Sequence, residues 1–179
     1  MKELLFLTHR IPYPPNKGDK VRSFNLLKHL ARDYRVHLGT FVDDPRDWRH
    51  VDAVKAMCDE TCFIRLYPAW AKFRSLGALA RGEPLTLPYY RSRQLRSWVA
   101  RLLNGGTVKR VLVFSSAMAQ YVEGEASGGM RYVLDFVDMD SDKWRQYSDR
   151  HRWPMNWLYR RESAAHQQSL QALRRSTVE

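Results

Sequence analysis

Apolar residues fall into two alternating rhythms along this chain: short unbroken runs, and longer stretches in which they recur every three or four positions. Leu4-Leu5-Phe6-Leu7 is a run of the first kind, as expected of a strand buried on both faces. Between Val21 and Arg32 the apolar positions Phe24, Leu26, Leu27, Leu30 and Ala31 are spaced for one face of a helix. The pattern then predicts a second strand at Val36–Phe41, a helix opened by Asp43-Asp44-Pro45 and running to about Cys58, and a third strand at Cys62–Leu66. Further helices are expected over 70–80 and from Ser92 to Leu103, the second closed by Asn104-Gly105-Gly106. Arg110–Phe114 reads as a fourth strand and Ala117–Glu123 as a helix. Arg131–Val137 reads as a fifth strand, and a long helical stretch spans Met155 to Arg175.

Strict alternation of strand and helix predicts an α/β fold, a Rossmann-like three-layer domain with a mainly parallel sheet. The loop Thr8–Lys20, rich in proline and ending in Gly18-Asp19, then falls at the carboxyl edge of that sheet, where open α/β folds take their ligands. Gly18 would let backbone approach a ligand, and the helix that follows would aim its first N–H groups at an anion. The plainer reading of the same stretch is an ordinary βα turn with Asp19 capping the helix. His9 and Arg10, at the end of the first strand, would flank the crevice.

Length and charge narrow the picture. A chain of 179 residues with 44% apolar content suits one domain with one core. A formal charge of +11 points to an anionic partner: nucleic acid, an acidic membrane surface or a phosphorylated lipid. No run of about 18 apolar residues occurs and Met1-Lys2-Glu3 leads straight into a strand, so a cytoplasmic location is expected. Cys58 and Cys62 are separated by three residues with no second Cys or His pair, which reads as two reduced thiols and not a zinc site.

The acids Asp135, Asp138, Asp140 and Asp142 gather at the end of the fifth strand. A calcium loop starting at Asp138 would need glycine where Lys143 sits and glutamate where Asp149 sits, so an EF-hand site is not expected. Asp140, Ser141 and Asp142 suit a helix cap, and Asp138, where strand gives way to loop, is the acid expected to face the crevice. Ser115-Ser116 lacks both a neighbouring histidine and the glycines of a nucleophile elbow, which disfavours a serine hydrolase.

Two cationic and aromatic patches stand out, one around Trp70, Arg93, Arg96 and Trp98 and the other around Trp153 and Trp157. Rings that settle at headgroup level beside arginines would make a peripheral membrane surface. The same residues could stack bases and contact phosphates, so a basic nucleic-acid or anion-binding module on a Rossmann-like core is the alternative. The bland reading is a solvated basic face with the tryptophans turned inward.

The segment Leu4–Leu27, with its Pro-rich loop, Gly18-Asp19 and Arg22-Ser23-Phe24-Asn25-Leu26-Leu27, resembles the amino-terminal start of family-4 retaining glycosyltransferases of the GT-B fold. A second block, Tyr132 to Trp144 followed by Arg152-Trp153-Pro154 and Trp157–Glu162, resembles the same family, closest to the sugar transferases of exosortase and exopolysaccharide loci. The resemblance implies an acceptor-side domain spanning 1–179. The partner domain that holds the nucleotide-sugar donor would be missing, and the chain would be either a fragment or a truncated relative.

It also implies front-face transfer without an essential metal or a separate cofactor, to a polysaccharide or lipid-linked acceptor, at the inner face of the plasma membrane. Nucleic acid is then the less favoured partner. On this resemblance Gly18 and Asp19 shape the cleft near the phosphate, Arg22 supports it, Asp138 and Ser115 line the acceptor side, and the isolated domain turns over little or nothing. One departure stands: where many such enzymes carry a histidine after the fourth strand, this chain has Ser115-Ser116-Ala117-Met118.

Overall fold

The computed structural model describes residues 1–68, 71, 86–123 and 129–135. Strand β1 (Lys2–Thr8) lies at the centre of a five-stranded sheet, flanked by β2 (Tyr34–Val42) and β4 (Val108–Phe114). Beyond them lie β3 (Glu60–Arg65) and β5 (Arg131–Asp135), giving the order β3-β2-β1-β4-β5. Every pairing is parallel, in the registers Leu4↔Val36, Phe6↔Leu112, Phe41↔Ile64 and Val113↔Leu134. The fold is thus α/β and Rossmann-like. Apart from residue 71, the helix expected over 70–80 lies outside the described residues, as does everything past residue 135, including the long helical stretch.

Alternate residues of β1 feed two cores, because successive side chains of a strand point to opposite faces. Leu5 and Leu7 join Val111, Val113 and the inner face of a helix we number α4 (Arg93–Asn104), which buries Leu95, Val99 and Leu102 at helical spacing. Leu4 and Phe6 face the other way, onto Leu27 of α1 (Gly18–Asp33) and Val51 and Val54 of the short helix α2 (Val51–Lys55). A one-turn helix α3 (Thr86–Tyr89) precedes α4. Gly39 permits the close approach of α4 to β2: a Cβ there would come within 2.8 Å of Leu7 Cδ2 and 2.9 Å of Leu95 Cδ1.

Two expected helices are tighter than the apolar rhythm suggests. Residues 45–58 split into a 3-10 turn, Pro45–His50, followed by α2, which ends at Lys55. Asp44 caps that turn through Arg46 N, and Asp47 is drawn inward to Lys20 of α1, a contact that periodicity alone does not reveal. After β4 a 3-10 turn, Ser116–Tyr121, replaces the expected helix; it is buried from Ala117 to Tyr121, and the Gln120 amide donates to the carbonyl of Ala117. Cys58 and Cys62 are free, and burial pushes their thiols up to about 12 and about 11.

Candidate functional site

From β1 the chain moves to β2 on one side of the sheet and returns later to place β4 on the other. Such a reversal opens a crevice at the carboxyl ends of the two strands, the usual ligand position in open parallel sheets. His9 follows β1 there and Ser115 follows β4. The His9 ring lies flat against Phe114, with centroids 6.2 Å apart and planes 4° from parallel, and Tyr90 meets it edge-on at 5.8 Å.

Asp19 is not the helix cap. Lys17 occupies that position without a side-chain bond, and Asp19, in the first turn of α1, reaches back to the end of β1. Its Oδ2 lies 3.4 Å from His9 Nε2 and 3.1 Å from Arg10 Nη1, while Oδ1 accepts from the Lys20 N–H. The hydrogen bond from His9, aided by the charge of Arg10, holds the Asp19 carboxyl well below the usual carboxylate range despite partial burial. Arg10 is a bridge, since its Nη2 also meets Asp43 Oδ2 at 2.9 Å. Burial works against the guanidinium, but Asp43 and Asp19 outweigh it and hold its charge. His9 Nδ1, Arg10 Nε and Asp43 Oδ1 are buried with no partner among the described residues.

On the far side of the crevice Arg22 Nη2 meets Asp135 Oδ1 at 2.7 Å, tying the second turn of α1 to the tip of β5. Ser115 adopts φ 92° and ψ 131°, a conformation that residues with a Cβ rarely hold, while its N–H donates to the Asp135 carbonyl. Behind the rim, Lys20 Nζ and Asp47 Oδ2 form a buried ion pair at 2.5 Å. The loop itself is pinned: Ile11 N–H donates to the Phe41 carbonyl, and the Tyr13 ring rests against Phe24 and His50.

His9, Asp19, Arg22 and Ser115 are thus brought to one rim. Gly18 opens α1 exposed, at a place where a Cβ would meet nothing within 4 Å. Arg93 and Arg96 are exposed on α4, and Arg96 lies over the Tyr121 ring. Trp98 is half-buried against the core, with Nε1 donating to Glu60 at 2.7 Å, so its ring is turned inward. Asp138, Trp70, Trp153 and Trp157 lie outside the described residues. Sequence reasoning passed over the Arg10–Asp43 and Lys20–Asp47 contacts; the first is set by strand pairing, since Asp43 directly follows β2, the strand beside β1. Among the described residues no three His, Cys, Asp or Glu side chains group so as to hold a metal ion. Comparison with family models, with curated proteins and with solved structures gives no match for this chain.

Proposed function

We propose that this chain is the acceptor-side domain of a retaining glycosyltransferase, with its acceptor at the crevice between β1 and β4. The observation that carries the reading is the meeting of α1 and the β5 tip across that crevice through Arg22 and Asp135, 2.7 Å apart on the carboxyl rim of an all-parallel sheet. Asp19 orients the His9 ring through Nε2, and Phe114 supports it from behind. The Ser115 hydroxyl is suited to hold a sugar hydroxyl while the fixed His9 ring walls the crevice beside it, and fixed groups of this kind lower the entropic cost of alignment.

In the transfer, the bond from the sugar anomeric carbon to the nucleotide diphosphate breaks. A bond to the acceptor oxygen forms on the same face, and the acceptor proton leaves with the departing phosphate. A second domain would supply the main diphosphate contacts, with Arg22 and the first turn of α1 completing them. Exposed Arg93 and Arg96 on α4 suit attraction to anionic lipid, at about 1 kcal/mol per charge.

Amide chemical shifts followed during titration with a panel of nucleotide sugars and oligosaccharides test the reading. Shifts centred on His9, Asp19, Arg22 and Ser115, and weakened by His9→Ala, are expected. Saturable shifts elsewhere only, or none with any member of the panel at millimolar concentration, would sink it.

A further inference from the structure

A second cavity, of about 520 Å3, opens beside the carboxyl ends of β2 and β3 and is separate in its lining from the His9 and Ser115 crevice. Its size is that of a small-molecule site. The two parts of its wall differ sharply in chemistry. Phe41, Ile64 and Leu66 make an apolar floor, whereas Arg65, Arg91 and Arg93 stand around it, and no carboxylate lines it among the described residues.

Five arginines of the fold, Arg10, Arg22, Arg35, Arg46 and Arg101, meet acids, whereas Arg49, Arg96 and Arg110 lie against rings. Arg65 and Arg93 have no carboxylate partner among the described residues. Arg65 is instead held by rings, its guanidinium 5.2 Å from the centroid of Trp48 and 5.9 Å from that of Tyr67. Its Nη1 also donates to the Tyr67 hydroxyl at 3.4 Å, a long bond that leaves the remaining N–H groups for an oxyanion. Arg93 opens α4, so its charge stands at the positive end of that helix.

We infer that this cavity binds an amphipathic oxyanion, with an apolar body on Phe41, Ile64 and Leu66 and a phosphate or carboxylate group between Arg65 and Arg93. The apolar floor rejects a bare inorganic anion as the preferred ligand, and the arginines reject a neutral hydrocarbon. Each charge-assisted contact is worth enough that losing one guanidinium weakens binding about tenfold. The inference is independent of sugar transfer, because the cavity shares no residue with the His9, Asp19, Arg22 and Ser115 rim and is tested with different probes; only Arg93 also belongs to the surface proposed to meet lipid.

Isothermal calorimetry with octyl phosphate and octanoate tests it, with octanol and inorganic phosphate as the separated halves of the ligand. Octyl phosphate should bind at least about tenfold tighter than either half, the doubly charged head outdoing octanoate. Arg65→Gln and Arg93→Gln should each weaken it about tenfold and raised salt should weaken it further. Arg35→Gln, at the opposite end of the sheet, serves as a charge control and should change nothing. The inference is overturned if octanol binds as well as octyl phosphate, if Arg35→Gln weakens binding as much as the pocket variants do, or if both pocket variants, folded by circular dichroism, bind like the parent.

Discussion

Arg22 and Asp135 are 113 positions apart in the chain and 2.7 Å apart in space. Their contact joins the helix after β1 to the tip of the edge strand β5, spanning the line between β1 and β4 where the chain reverses direction. Asp135 is mostly buried, while Arg22 keeps half of its side chain in solvent. An exposed guanidinium of this kind adds at most about 1 kcal/mol to stability, so its position matters more than its energy.

A bound anion at the rim would compete with Asp135 for Arg22. Asp135→Asn should therefore tighten binding of a nucleotide sugar or pyrophosphate several-fold, and Arg22→Gln should weaken it by about tenfold. Both variants should lie within about 1 kcal/mol of the parent in urea unfolding. Equal weakening by the two substitutions would mean that the pair acts as a unit and Arg22 is not held in reserve for an anion.

Ser115 stores strain at φ 92°. Positions of this kind cost about 1–3 kcal/mol when occupied by a residue with a Cβ, and glycine relieves most of that. Ser115→Gly should raise stability by about 1 kcal/mol after its extra unfolded-state entropy is counted, whereas Ser115→Ala should bring no gain. Chemical unfolding of the two variants side by side decides it, and a destabilised glycine variant would refute the strain.

The depressed Asp19 carboxyl makes a pH prediction. Its folded value lies below the ordinary unfolded one, chiefly because His9 donates to it and Arg10 stands beside it. Stability from this group is therefore full above about pH 4 and is lost as the pH falls through the folded value. Asp19→Asn should be less stable than the parent at pH 6, with the gap narrowing below about pH 4. His9→Ala should shift the Asp19 titration upward, as read from its side-chain carboxyl carbon by NMR.

The strands themselves were legible in the sequence, though not their order in the sheet. Leu4–Leu7 and Val111–Phe114 are unbroken apolar runs because both faces of those strands are buried, and α1 and α4 show their inward faces at Leu27 and at Leu95, Val99 and Leu102. What periodicity could not reveal were contacts set by neighbouring strand ends. Asp43 reads as a helix cap in sequence, yet the pairing of β1 with β2 puts it beside Arg10. Asp19 likewise has the composition of a cap and serves instead as the acceptor for His9 and Arg10, because the long loop brings α1 back over the end of β1. Tertiary pairing outweighed local preference at each such position.

Lys20 and Asp47 give the last and largest expected effect. Lys20 is 2% exposed and Asp47 6%, and they meet at 2.5 Å between the first turn of α1 and the 3-10 turn after β2. Both substitutions that strip one partner, Lys20→Met and Asp47→Leu, leave an uncompensated charge in the interior and should cost about 3–5 kcal/mol in urea unfolding. Removing both charges together should recover much of that loss, because a pair of apolar side chains needs no partner. The amino end of α1 carries Asp19 and Arg22 as well as Lys20, so the single variants should also loosen the rim. Hydrogen exchange over residues 20–24 should accelerate in Lys20→Met and slow again in the double variant. If the double variant is no more stable than the singles, the pair is required for shape and not merely for charge balance, and the anchoring of the rim then depends on its hydrogen bond.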